Sequence, residues 1–117
     1  MKKFVLLVLV LITGLTVFSQ GIEFQKGRYA EVLEMAKKQN KLVFIDIYTS
    51  WCGPCKHMAD KVFPQAKVGE YYNAHFLNLQ LDAEKSEDGK MVAKTFGVSA
   101  YPTFLFVNGD GGLVYRF

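Results

Sequence analysis

The chain has 117 residues, half of them hydrophobic and 15% aromatic, which is enough for one domain with a filled core and excludes both a disordered chain and two separate domains. The formal charge of +3 falls by two, to +1, once Lys2 and Lys3 are set aside. The remaining Lys and Arg alternate with Asp and Glu, so no basic stripe suited to a nucleic acid is present.

Met1-Lys2-Lys3 and the apolar run from Phe4 to about Phe18 have the form of a secretory signal that ends at the polar pair Ser19-Gln20. A bilayer-spanning helix needs about 20 apolar residues, and this run is shorter. Residues 1–19 are therefore expected to be a signal peptide cleaved after Ser19, with an uncleaved N-terminal anchor as the alternative. Residues 22–117 are expected to form the folded domain.

Within that domain, Tyr29, Val32, Leu33 and Ala36 fall on one face of a helix that runs to about Lys38 and is ended by Asn40. Leu42 to Tyr48 is a β-branched and aromatic run without polar alternation, the pattern of a central strand buried on both faces, and Asp46 is its one anomaly. A second helix opens at the cysteine segment and carries Met58, Val62 and Phe63 to a break at Pro64. Val68, Tyr71 and Tyr72 predict that helical structure resumes. Phe76 to Asp82 alternates apolar and polar residues and predicts a strand. Glu84 to Gly89 reads as a charged surface loop, and Met91, Val92 and Phe96 as a short helix closed by Gly97 in a left-handed conformation. After Tyr101-Pro102 come a strand from Thr103 to Val107, a turn at Asn108-Gly109-Asp110-Gly111-Gly112 and a further strand from Leu113. Strands separated by helices, then a hairpin, predict an α/β domain with a mixed sheet flanked by helices.

The two cysteines, Cys52 and Cys55, lie three apart at the expected start of the second helix. A bridge closing so small a loop constrains the unfolded chain little, so the pair makes better sense as reactive chemistry than as a staple, although a structural disulfide is the alternative. The start of a helix favours negative charge, which makes Cys52, at the exposed end, the nucleophile and Cys55, one turn on, the resolving thiol. Zinc would need two further ligands, for which His57 and His75 are poorly spaced, so no metal is expected. Covalent haem needs His directly after the second cysteine, where this chain has Lys56. Thiol exchange through a mixed disulfide requires no cofactor other than the Cys52-Cys55 pair itself.

Trp51-Cys52-Gly53-Pro54-Cys55-Lys56 after an apolar strand, with Tyr101-Pro102-Thr103 near the other end, resembles the thioredoxin superfamily over residues 28–117. Within it the chain is similar to exported thioredoxin-like proteins, with the C-terminal domain of the membrane thiol:disulfide interchange protein as a near relative. The resemblance implies a thioredoxin-like fold and a thiol:disulfide oxidoreductase of the periplasm or another extracytoplasmic space. A peptide-binding module without turnover is the alternative. It implies that Asp46 is the buried acid that assists proton transfer at Cys55, the alternative being an acid turned to water at a strand end. Pro102 would be the cis-proline facing the cysteines, or else an ordinary trans turn proline. Trp51, Gly53, Pro54, Tyr101 and Pro102 would form the substrate-binding rim. Partners would be protein disulfides and a membrane electron donor, and the chain would act as a monomer. Gly-Pro between the cysteines resembles reducing thioredoxins, near about −270 mV, more than the strong oxidant near about −120 mV.

Two departures stand out. Asn78 occupies the position where thioredoxins often carry a strand lysine near the buried acid, and Tyr101 is bulkier than the aliphatic residue usual before the proline. Thioredoxin domains also close with a helix after the last strand, so a sequence stopping at Phe117 is expected to be partial.

Overall fold

The computed structural model describes Gly14 and residues 20–117. The expected signal peptide or anchor at residues 1–19 lies outside the described residues, apart from Gly14. Among the described residues no helix is long and apolar enough to cross a membrane.

Helix α1 spans Tyr29–Gln39 and starts where Glu31 accepts a hydrogen bond from the backbone N–H of Arg28 at 3.2 Å. It ends at Asn40, which adopts the left-handed conformation with φ 53°. Strand β1, Leu42–Tyr48, follows at once. Helix α2, Gly53–His57, runs into a π-helical turn at Met58–Val62, where the N–H of Phe63 reaches the carbonyl of Met58 at 2.8 Å. Helix α3 is Ala66–His75, β2 is Phe76–Asp82, α4 is Glu87–Thr95, β3 is Thr103–Val107 and β4 is Leu113–Arg116. Gly97 takes the left-handed turn expected of it, with φ 61°.

The stretch read as a surface loop, Glu84 to Gly89, is shorter than expected because α4 begins at Glu87. The Ser86 hydroxyl accepts the Gly89 N–H at 2.9 Å, capping a first turn whose charged residues and glycine conceal it from hydrophobic periodicity. Gly89 is buried, and a Cβ there would collide with the carbonyl of Asp82.

The sheet order is β2-β1-β3-β4, with β1 and β2 parallel and the other pairs antiparallel. Alternation along β1 divides the interior into two cores. Val43, Ile45 and Ile47 face a core shared with Val32 and Ala36 of α1, Val92 of α4, and Leu79 and Leu105 of the neighbouring strands. Phe44 faces an aromatic core with Phe63 and Phe106, joined by the partly buried Phe24, Tyr72, Phe76 and Phe104. The segment before α1 belongs to this second core, since Ile22 N–H bonds to Phe63 and Gln25 N–H to Asn78, each at 2.8 Å. Asp46 lies between Phe104 on β3 and Gln80 on β2, in the same register and therefore on the aromatic face of the sheet.

Candidate active site

The chain leaves β1 at Tyr48 and turns through Thr49-Ser50-Trp51 into α2. Cys52 is the residue that precedes the first turn of that helix, in extended conformation. Pro54 occupies the first turn, where its missing N–H has no helical partner to lose. Cys52 and Cys55 are joined in a disulfide with Cα atoms 5.3 Å apart, within the range of about 4.4–6.8 Å that such bonds span. The backbone N–H of Cys55 donates to Cys52 Sγ at 3.1 Å. On reduction the same N–H and the positive end of the helix would face a Cys52 thiolate.

Exposure does not separate the two sulfurs as expected from the sequence: Cys52 is 3% exposed and Cys55 4%. Their surroundings do. Cys55, with Asp46, Thr49, Lys56 and Gln80, lines a cavity of about 320 Å³ on the aromatic face of the sheet. A larger groove of about 800 Å³, beneath the segment Gly21–Phe24 and beside α3, contains no cysteine.

Asp46 is 1% exposed, which rules out an acid turned to water. Removal of its carboxyl from water pushes the pKa up to about 6, and an amide hydrogen bond from Gln80 opposes part of that rise. Gln80 Nε2 donates to Asp46 Oδ2 at 3.4 Å, whereas Oδ1 is buried with no partner among the described residues. Asn78, the residue expected beside the acid, is instead paired with Phe44 in register, and its amide donates to the carbonyl of Tyr72 at 3.3 Å. The residue of β2 that meets Asp46 is Gln80. Period-two alternation puts 78, 80 and 82 on one face, but only the register of β1 on β2 decides which of them lies opposite the acid.

On the outer side, the Tyr101-Pro102 peptide bond is cis, as the resemblance implied. The hydroxyl of Thr103 donates to the carbonyl of Ala100 at 2.6 Å and closes the turn around the proline. Trp51 is 66% exposed and not part of either core. Its ring meets Tyr101 edge to face with centroids 6.1 Å apart, and its indole N–H donates to Glu84. Glu84 is held there by a turn in which Asp82 Oδ1 accepts the N–H groups of Glu84 and Lys85 at 2.9 and 3.0 Å. Gly53 and Pro54 are exposed, and a Cβ at Gly53 would meet nothing within 4 Å, although the cysteines on either side of them are buried. Of the histidines considered as metal ligands, His75 packs on Tyr71 at the start of β2, the opposite end of the sheet from the cysteines. Thr49, Gln80 and Glu84 are site residues that sequence reasoning missed.

Comparison with known proteins agrees with this geometry. A family model described as a thioredoxin-like domain matches residues 29–117. Thioredoxin H2-1 of Oryza sativa subsp. japonica is 39% identical over 72% of the chain, which spans 56% of that protein's length. A thioredoxin of Echinococcus granulosus is 38% identical over 68% of both chains. Among solved structures, a candidate disulphide-isomerase from Bacteroides thetaiotaomicron is similar at 46% identity and TM-score 0.72, covering 84% of this chain and 80% of its own. With its mixed sheet, its bridged Cys52-Cys55 pair and its family match over residues 29–117, the chain belongs to the thioredoxin-like family.

Proposed function

We propose that the protein is a thiol:disulfide oxidoreductase that reduces protein disulfides outside the cytoplasm, with Cys52 as nucleophile, Cys55 as resolving thiol and Asp46 as the acid-base group for Cys55. The observation that carries this reading is the division of the pair: Cys52 sits at the helix start under the Cys55 N–H, while Cys55 shares a cavity with a buried carboxyl.

In the reduced protein the Cys52 thiolate attacks one sulfur of a substrate disulfide, forming a mixed disulfide and releasing the other substrate sulfur as a thiolate that takes a proton from water. The Cys55 thiol then gives its proton to Asp46 and attacks the Cys52 sulfur. The Cys52-Cys55 bond forms, the mixed disulfide breaks, and the departing substrate thiolate is protonated by Asp46. Two electrons pass from the protein's dithiol to the substrate, and no cofactor enters the count. A carboxyl with a pKa of about 6 is suited to both steps, since it changes protonation close to neutral pH.

Trp51, Gly53, Pro54, Tyr101 and Pro102 are the proposed contacts for an extended substrate segment. The apolar run at Phe4–Phe18 supports export to the periplasm or an equivalent space. In such an oxidising compartment a reductase needs a source of electrons, which motivates a membrane electron-transfer partner acting on a monomer.

The test is mixed-disulfide trapping. Cys55→Ser should accumulate substrate adducts on non-reducing gels that disappear with reductant, because attack proceeds and resolution does not. Adducts with Cys52→Ser and none with Cys55→Ser would reverse the assignment of the two thiols.

A further inference from the structure

Every residue around Asp46 bears on when it gives up its proton. The titratable and charged groups that share its cavity are Tyr48 on its own strand and Cys55 and Lys56 of α2, with Asp82 paired across from Tyr48 at the strand end. The π-helical turn supplies Ala59, β3 supplies the neighbour Phe104, and Thr49 and Ser50 supply hydroxyls. None of these has a hydrogen bond to the carboxyl. Among the described residues the one donor to it is the Gln80 amide, at 3.4 Å on Oδ2, and Oδ1 is buried without a partner among them.

We propose that Gln80 is the positioning residue of the Asp46-Cys55 pair: its uncharged amide, donated across the β1-β2 ladder, ties down Oδ2, leaves Oδ1 for proton exchange with Cys55, and thereby tunes the acid. This rests on the acid-base role proposed for Asp46 and adds the group that sets it. The choice of side chain is physically specific. A cation at residue 80 would favour the charged form of Asp46 and move its titration to lower pH. An aliphatic side chain would leave both carboxylate oxygens without a donor and keep the acid protonated further into the neutral range, making it a poor base. An amide stabilises the carboxylate without a counter-charge and lies between these limits. Gln80 also forms, with Ala59, the wall between the Cys55 cavity and the groove beneath Gly21–Phe24, so its length matters as well as its N–H.

The wall dictates the variants. Gln80→Ala would open the cavity to water and confuse hydration with loss of the donor, whereas Gln80→Leu keeps the bulk and removes only the amide. Gln80→Lys supplies a cation from the same position, and the two variants are read independently. The Asp46 carboxyl would be titrated by carbon-13 NMR in the oxidised protein, alongside the pH profile of dithiothreitol-driven disulfide exchange, for wild type and both variants. Gln80→Leu should raise the Asp46 midpoint by roughly 0.5 to 1 on the pH scale, and Gln80→Lys should lower it by roughly 1 or more. The acid limb of the exchange profile should move in the same two directions. A midpoint unchanged by both substitutions would overturn the proposal. Midpoints that move while the rate profile stays fixed would uphold the coupling of Gln80 to Asp46 and overturn instead the part given to Asp46 in exchange.

Discussion

Asp46 shows how one side chain can cost stability and serve chemistry. Its pKa is about 6 in the fold, against an ordinary value of 3.8, because burial penalises the charged form. A carboxyl raised in this way contributes stability that is fully present below the unfolded value and lost as pH rises through 6. Above pH 6 the folded protein therefore carries a penalty on the order of 2–3 kcal/mol, each tenfold change in the protonation equilibrium being worth about 1.4 kcal/mol. Asp46→Asn keeps size and polarity and removes the charge, so urea unfolding at pH 7 to 8 should show the variant more stable by an amount of that order, and equal to wild type near pH 3. Disulfide exchange should slow, by up to about 10²-fold, the low end of what general acid-base help supplies, because thiolates also form unaided. A large loss of stability at pH 7 would mark the residue as structural. Asp46, Cys52 and Cys55 stood out in the sequence because each breaks or marks a local pattern, an acid in an apolar strand and a thiol pair at a helix start, whereas the cis form of Pro102 was implied only by the family resemblance. Gln80 did not stand out, since its partner lies across a parallel ladder and no local pattern encodes that register.

The same distinction holds for whole elements. Strands β1 to β3 and helix α1 coincide with the expected segments because their apolar periodicity is strong. The second helix expected to run unbroken to Pro64 turns π-helical on the way: the Phe63 N–H bonds five residues back, one further than in an α-helix, a change that apolar spacing does not reveal. The start of α4 was hidden behind charge, and one of those charges clamps it to α1. Arg28 binds Asp88 through two hydrogen bonds of 3.0 Å, and the Tyr29 N–H adds a third at 2.9 Å. The Arg28 side chain and then the Tyr29 N–H hold the Asp88 carboxyl below its usual value. A depressed carboxylate contributes stability above the unfolded pKa, near about 4, that is lost as pH falls through the folded value. Asp88→Asn should therefore lower the urea midpoint modestly at pH 7, with the difference from wild type closing as pH drops below about 4. A difference that persists at pH 3 would show that the asparagine disturbs the cap itself, and not the ion pair.

At the scale of the molecule, the sheet separates two jobs. One face buries the aliphatic core against α1 and α4, and the other carries the aromatic core into which Asp46 is set. The cysteines stand at the end of β1, which β2 and β3 hold between them, so the nucleophile leaves the most constrained strand of the sheet. From there Cys52 accepts the Cys55 N–H at the helix start, while Cys55 lines the cavity that holds Asp46. That arrangement is suited to turnover of disulfides, and a module that only gripped peptides would have no use for the buried acid behind the second thiol. The most direct measurement is insulin disulfide reduction driven by dithiothreitol, comparing residues 20–117 of the wild type with Cys52→Ser. The wild type should accelerate precipitation of the insulin B chain well above dithiothreitol alone, and Cys52→Ser should return it to that baseline. Equal rates for the two proteins, or no acceleration by either, would contradict a redox role for the pair.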